Sequence, residues 1–222
     1  MRGRAPTTLS DVTGEMLERL LRHRGLTLDE PPTVPGMRRL APVLGLHAAD
    51  LVVIADLELP ADLAPAAPTK ASWLVEAATR GTPEYRHRLH ELVRAMPPAD
   101  PAWPPEFPPV PGALLIRLLL NRAIGPHSAK MLLWGMGVQA VSGSTVYLLG
   151  QGRTKLTPRF VTAFAGILGI PAADLAAMTG VAAADRTPVT HPHQAEVAAL
   201  AWDARRLSEE RIDEVLRMAK VG

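Results

Sequence analysis

Apolar side chains recur every three or four residues along the second half of the chain, which is the spacing of amphipathic helices. This pattern predicts five consecutive helices, at about residues 113–123, 127–134, 143–149, 157–169 and 172–178. Alternating runs of β-branched residues, which are typical of strands, are nearly absent, and helix-favouring alanine and leucine are abundant. The sequence therefore predicts an all-α fold.

The chain also contains an internal repeat, which organises these helices. Residues 41–51 read APVLGLHAADL and residues 165–175 read AGILGIPAADL, with seven of eleven positions identical at an offset of 124. Upstream, residues 17–24 align with residues 115–122 at an offset of only 98. The second copy therefore holds 26 residues more, at about 126–152, which is enough for two short helices and a turn. We predict two pseudo-repeated helical halves, of which only the second carries this insert.

Prolines mark the predicted boundaries between these units. Eight prolines lie from Pro97 to Pro111, which predicts an extended connection between the halves. In the first half, residues 28–35 contain three prolines in place of the insert, so no helix is expected there. The predicted organisation is an N-terminal helical half at 1–97, a Pro-rich linker at 98–111, a five-helix domain at 112–180 and a C-terminal helical extension at 181–222.

Six short motifs follow one another in the second half. They are Gly137-Val138, Ser142-Gly-Ser-Thr-Val146, Gly150-Gln-Gly-Arg153, Thr157-Pro158, Leu168-Gly-Ile170 and Ala173-Asp-Leu175. Their order and spacing, together with the five helices, resemble the DNA-binding domain of the lambda-repressor/Cro family of helix-turn-helix transcriptional regulators, also called the xenobiotic-response-element (XRE) family. The resemblance covers residues 112–180, about a third of the chain.

The resemblance implies how this domain would contact DNA. In the family, the third helix lies in the major groove and the N-terminus of the second helix grips a phosphate. Base recognition then falls to Ser142, Ser144, Thr145 and Tyr147. His127, Ser128 and Lys130 would lie near the DNA backbone, and Gln151, Arg153 and Lys155 follow the recognition helix. These ten residues form the predicted DNA-binding site.

Charge along the chain supports the same function without using the family. The formal net charge is only +2, but residues 111–190 hold seven basic and two acidic residues. No acidic residue lies between Glu106 and Asp174. A surface that faces a polyanion would avoid acidic groups in this way. The alternative is that most of this stretch is buried and carries few charges of either sign; the balance favours a phosphate-facing surface.

Two features depart from the family pattern. Gln139-Ala-Val141 looks like a three-residue insertion that lengthens the turn between the second and third helices. The recognition helix has Gly143 and Leu148 where long polar side chains would usually read bases. Two interpretations remain open: a module of low sequence specificity, or one that no longer reads DNA.

Other kinds of chemistry have little support in the sequence. The chain has no cysteine, which excludes disulfides, thiolate chemistry and cysteine-based zinc sites. The pairs His87/His90 and His191/His193 have no third ligand at a suitable spacing, so neither a metal nor another cofactor is expected. Because no phosphate-binding glycine loop or nucleophile elbow occurs, we expect no enzymatic activity.

The sequence also bears on localisation and on the surface. Residues 131–152 contain no charged side chain, but their glycines and hydroxyl groups make them too polar to span a bilayer. No apolar segment follows the basic N-terminal residues, so we expect a cytoplasmic protein with no membrane contact. The sequence also predicts the burial of several arginine and tryptophan side chains. Arg86, Arg88, Arg205 and Arg206 are expected on helix surfaces, and Trp73, Trp134 and Trp202 in hydrophobic cores.

The function expected from the sequence is DNA-binding transcriptional regulation, with double-stranded DNA as the partner. A homodimer is expected because one such module buries too little DNA surface for tight binding. The alternative is a protein-interaction module, in which a degenerate helix-turn-helix docks a partner protein and the N-terminal half serves as adaptor. The recognition helix lacks the arginine, asparagine or glutamine that would read bases, which favours the alternative, whereas the acid-free stretch and Gly150-Gln-Gly-Arg153 favour DNA.

Overall fold

A computed structural model describes residues 9–67, 70–102, 106–108, 110–135, 141–185 and 193–220. In these ranges the backbone forms twelve helices and no strand, which confirms the all-α fold. The first half contains α1 (Leu9–His23), α2 (Val34–Leu44), α3 (Ala48–Ile54), α4 (Ala71–Arg80) and α5 (Pro83–Ala95). The second half contains α6 (Pro111–Leu120), α7 (Pro126–Gly135), α8 (Gly143–Gly150), α9 (Pro158–Leu168), α10 (Ala172–Thr179), α11 (Gln194–Ala204) and α12 (Glu209–Lys220).

The bounds of several helices follow the sequence repeat. α2 and α9 both have 11 residues and begin at Val34 and Pro158, an offset of 124. Each ends at a glycine in the left-handed conformation, Gly45 with φ 66° and Gly169 with φ 67°, where any other residue would be strained. α7 and α8 have no counterpart in the first half, where residues 24–33 form a loop. These two helices occupy the segment that the offsets mark as an insert.

The two halves exchange ion pairs reciprocally. Arg24, just after α1, donates from Nε and Nη2 to the two carboxylate oxygens of Asp174 in α10, at 2.7 and 2.6 Å. Arg122, just after α6, donates from Nη1 and Nη2 to those of Asp50 in α3, at 3.0 and 2.9 Å. The offsets of the repeat relate Arg24 to Arg122 and Asp50 to Asp174. Each half therefore binds the other through equivalent positions.

The helices interlock in the same way as these ion pairs. α1 packs on α10 and α6 on α3, while α4 and α5 pack against α11 and α12. One hydrophobic core runs through both halves and includes Leu20, Leu51, Leu115 and Phe164. Because this core is shared, the second half depends on the first for its packing. The boundaries predicted at residues 97, 112 and 180 stay predictions.

The described part of the Pro-rich linker is docked on the core. Ala99 donates a backbone hydrogen bond to the carbonyl of Arg206 at 2.6 Å, and Ala102 donates one to Pro65 at 2.8 Å. These bonds satisfy backbone groups that proline-rich coil cannot pair internally. The linker therefore lies along the surface between the halves, where the sequence suggested an extended connection.

Several expectations about side-chain burial are wrong. Arg86 and Arg205, expected on the surface, are buried, and Trp73, expected in a core, is 54% exposed. Arg205 donates from Nε to the Asn121 carbonyl at 2.8 Å, and burial lowers the pKa of its guanidinium to about 10. Arg86 donates from Nε to Glu196 at 2.7 Å. These partners lie 84 and 110 residues away along the chain, so the local sequence could not identify them.

Two further observations apply to the described ranges alone. None of their helices combines the length and the apolar character that a membrane-spanning segment needs. No three of their histidine, aspartate and glutamate side chains are grouped so that they could hold a metal ion. His191 and the side chain of Trp134 lie outside the described residues.

Candidate nucleic-acid interface

The N-terminal ends of α7 and α8 are in close contact. A Cβ atom on Gly143, the first residue of α8, would lie 2.6 Å from Nδ1 and 2.9 Å from Cα of His127 in α7. Only glycine allows two helices to approach so closely at this position. The family pattern has a long polar side chain here, and packing against α7 explains why this chain cannot carry one.

A second close contact fixes α8 on α6. A Cβ atom on Gly112 would lie 2.2 Å from the carbonyl oxygen of Leu149, so the two helix backbones meet directly. Val146 and Leu149 are buried between α8 and its neighbours. Gly150 lies against Phe107, whose Cε1 would be 2.8 Å from an added Cβ atom. One face of α8 is therefore held rigidly, and the opposite face is exposed.

The exposed face of α8 carries the residues assigned to base recognition. Ser142 and Ser144 are exposed, and Thr145 is half-buried. The Ser142 hydroxyl caps the helix by accepting from the Thr145 N–H at 3.1 Å, and it lies 2.6 Å from Ser144 Oγ and 2.9 Å from Thr145 Oγ1. The three hydroxyl groups form one cluster at the start of α8. Ser142 is thus engaged as the helix cap, and Ser144 is the more accessible of the other two residues of the cluster.

Tyr147 lies further along the same helix and is 50% exposed. Its ring meets the ring of Phe107 edge-on, with centroids 5.9 Å apart, which is a favourable geometry for two aromatic side chains. Phe107 positions the phenol but leaves half of it accessible. Sequence reasoning missed Phe107 because it lies in the Pro-rich segment, outside any periodic pattern.

The other six predicted residues also lie outside the core. His127, Arg153 and Lys155 are exposed, and Ser128, Lys130 and Gln151 are half-buried. After α8, the backbone N–H of Arg153 donates to the carbonyl of Leu148 at 2.9 Å, which folds the following coil back onto the helix end. Gly152 enables this turn with φ 69°. The coil therefore carries its two cations beside the exposed end of α8.

The cations around α8 differ from those deeper in the same acid-free stretch. Arg117 and Arg122 form ion pairs with Asp56 and Asp50 of the first half. The ion pairs within the described ranges include none of the other four, which are Lys130, Arg153, Lys155 and Arg159. α6 and α9 are almost wholly buried, so burial explains why they lack acidic residues. Burial does not explain the same lack in the exposed helix ends and coil around α8.

Part of the motif falls outside the described residues. This applies to Gly137-Val138 and to Gln139-Ala140, so the turn between α7 and α8 stays a prediction. Gly112 and Phe107 are structural residues of the site that the motifs do not include, and Gly143 lies in a motif that did not predict its contact with α7. The glycines could have been found from the sequence only by knowing which helices touch.

Comparison with protein-family models, with curated proteins and with solved structures gives no match to this chain. The features that bear on function are the geometry and charge of α7, α8, the coil that follows and the first turn of α9. This region combines a rigid pair of helices with exposed hydroxyls, one accessible aromatic ring and four cations outside any ion pair of the described ranges.

Proposed function

We propose that the protein binds double-stranded DNA through α7, α8, the coil at residues 151–157 and Arg159 in the first turn of α9, and that it acts as a transcriptional regulator. The observation that carries the proposal is the set of cations on this surface, which lack carboxylate partners within the described ranges. Cations outside ion pairs also occur elsewhere in the described ranges, among them Arg39 and Lys220, but their segments contain acidic residues as well, whereas the sequence has none between Glu106 and Asp174. An array of unneutralised cations on rigid elements is suited to a phosphate backbone.

In the proposed complex, α8 enters the major groove with its exposed face. Ser144, Thr145 and Tyr147 are short or planar groups, so they can contact base edges and thymine methyls without the bidentate geometry of arginine or glutamine. Lys130, Arg153 and Lys155 neutralise phosphates and fix the position of the helix. We expect strong non-specific binding and modest sequence discrimination, with two chains on one site because a single module buries little DNA.

Salt dependence tests this proposal. We expect the affinity of the full chain for a fluorescently labelled genomic duplex to fall steeply between about 50 and 200 mM salt. If two chains neutralise roughly 4–8 phosphates, the slope of log affinity against log salt is about −4 to −7, because each contact releases counterions. Fluorescence anisotropy measures this slope directly. Absence of binding near 50 mM salt, or a flat response, contradicts the proposal.

A second candidate function is docking of a protein partner on the same face. The observation that favours it is the composition of α8, which has no charged residue and presents Tyr147 half-exposed beside Phe107. Exposed aromatic side chains are common anchors of protein interfaces. The salt titration separates the two functions, because only DNA binding produces a slope that counts phosphates.

A further inference from the structure

A groove in the first half corresponds to the place where α8 is seated in the second. Gly14 in α1 is the equivalent of Gly112 in α6, at the repeat offset of 98. A Cβ atom on Gly112 would collide with the Leu149 carbonyl of α8 at 2.2 Å, whereas a Cβ atom on Gly14 would have no atom within 4 Å. The first half therefore keeps a glycine where nothing in the described structure requires one. A glycine inside a helix lowers helix stability, so the position suggests a backbone that approaches α1 from outside.

The space in front of Gly14 is large enough for part of a helix. The groove has a volume of about 500 Å³ and is bounded by α1 and by the loop at residues 26–32. Leu17 and Leu21 of α1 lie at its floor but are already buried, with 2% of each exposed, and Leu28 on the loop is exposed. The apolar surface that is open to solvent therefore lies on the wall of the groove, at Leu28 and the neighbouring prolines of the loop.

The rim of the groove is acidic. Glu18 on α1 and Asp29 and Glu30 on the loop are exposed and take part in no ion pair within the described ranges, and Arg22 is the one basic residue of the lining. In the second half, the position of Glu18 is taken by Ile116, which is buried. The first half has thus replaced a buried apolar contact with negative charge at the edge of the groove. A ligand of complementary charge would be basic.

We propose that this groove binds a basic, amphipathic helix of a partner protein, independently of DNA binding at α8. The apolar face of that helix packs on Leu28 and the prolines of the loop with its backbone close to Gly14, as the backbone of α8 lies close to Gly112 of α6. Lysine or arginine side chains on its flank pair with Glu18, Asp29 and Glu30. The chain thereby holds a DNA-binding surface in one half and a helix-binding surface at the equivalent place in the other.

A peptide of the chain's own residues 141–155 has the required chemistry and serves as the probe. It contains the α8 residues that pack on α6, followed by Arg153 and Lys155, and a staple joining positions 144 and 148 keeps it helical. We expect the labelled peptide to bind the full chain with one-to-one stoichiometry in the absence of DNA. The Cβ atom of Gly14→Leu meets no atom within 4 Å and its side chain would extend into the groove, so this variant should weaken binding at least about tenfold. Lys220→Leu, at an exposed position of α12, is the matched control and should leave affinity unchanged.

Several outcomes contradict the proposal. It is wrong if the peptide does not bind at about 1 mM, or if Gly14→Leu and wild type bind it equally, since the peptide would then be exchanging with α8 on α6. It is also wrong if sedimentation finds a wild-type dimer that Gly14→Leu converts to a monomer, because a second copy of the chain would then fill the groove. Reversing a charge on the rim with Glu18→Lys should lower the affinity of the chain for the peptide below that of wild type. It should also remove most of the salt dependence of peptide binding. Circular dichroism of each variant verifies that the fold is retained.

Discussion

Gly14 and Gly112 occupy equivalent positions of the repeat but have opposite surroundings. Gly112 touches the backbone of α8, and Gly14 faces open space. The two glycines therefore have different physical roles despite their common origin in the sequence pattern. The difference arises because α8 packs on α6 at Gly112, whereas the described part of the first half has no such helix beside α1 at Gly14. A substitution at either glycine therefore tests the packing of its own half.

Substitution of these glycines should have opposite effects on stability. We expect Gly112→Ala to lower the free energy of unfolding by roughly 1–3 kcal/mol, because its Cβ would press on the Leu149 carbonyl and displace α8. Gly14→Ala should raise it by about 0.5–1 kcal/mol, because alanine favours the helix and no atom lies within contact distance. Urea unfolding of both variants measures the contrast. Equal effects at the two positions would mean that α8 is not seated on α6 as described.

Tyr147 is the residue of the proposed DNA surface whose role is most open to direct test. We expect Tyr147→Ala to weaken binding to a preferred duplex by about 1–3 kcal/mol and to change binding to random DNA much less, because a base contact is lost and phosphate contacts remain. Tyr147→Phe keeps the edge contact with Phe107 and serves as the control for packing. Affinities for both duplexes are measured beside the melting temperature. A lower melting temperature with an unchanged ratio of affinities would assign Tyr147 to packing alone.

At the scale of helices, reciprocal exchange between the halves dominates the architecture. The Arg122–Asp50 pair is buried, with both side chains 1% exposed, and Arg122 also donates to the carbonyls of Leu118 and Leu168 at 2.9 and 2.6 Å. In the equivalent pair, Asp174 is buried but the Arg24 side chain is 37% exposed. The two pairs therefore share a geometry and differ in solvent access.

This difference predicts unequal effects when the carboxylates are removed. We expect Asp50→Ala to lower the free energy of unfolding by about 3–5 kcal/mol, because it leaves the Arg122 guanidinium buried without its counter-ion. Asp174→Ala should cost roughly 1–3 kcal/mol, because water can solvate Arg24 once its partner is lost. Chemical unfolding of both variants under the same conditions gives the comparison. A larger loss for Asp174→Ala would contradict the burial described for the two pairs.

The sequence predicted the helices of the second half closely, because their ends carry local signals. Ser142 caps α8, Pro158 lies in the first turn of α9, and Gly169 ends α9 in the left-handed conformation. The first of the five helices begins two residues earlier than predicted, at Pro111, since proline fits the first turn. The burial of Arg205 depends on partners distant in the chain, and the place of Phe107 follows from no periodic pattern. Such features follow from tertiary packing, which short-range patterns do not encode.

At the scale of the whole molecule, charge is separated between two equivalent places of an interlocked pseudo-repeat. The net charge of +2 conceals this separation. Around α8 the cations lack ion-pair partners in the described ranges, whereas the corresponding groove of the first half carries Glu18, Asp29 and Glu30. A polyanion would be attracted to the first place and repelled by the second. In the proposed complex each chain offers this one surface to DNA, so we expect a symmetric site to take up two chains.

The central claim is that DNA binds at α8 and its following coil, and the salt dependence of cation variants tests it most directly. We expect Arg153→Ala and Lys155→Ala each to weaken binding about equally for all duplexes, because each removes one phosphate contact. For the same reason, each should make the slope of log affinity against log salt shallower by about one unit per chain. Lys220→Ala, an exposed cation on α12, is the matched control and should leave the slope unchanged. The account is contradicted if wild type, Arg153→Ala and Lys155→Ala all show the same slope and only Lys220→Ala changes binding. DNA would then bind to another surface of the protein.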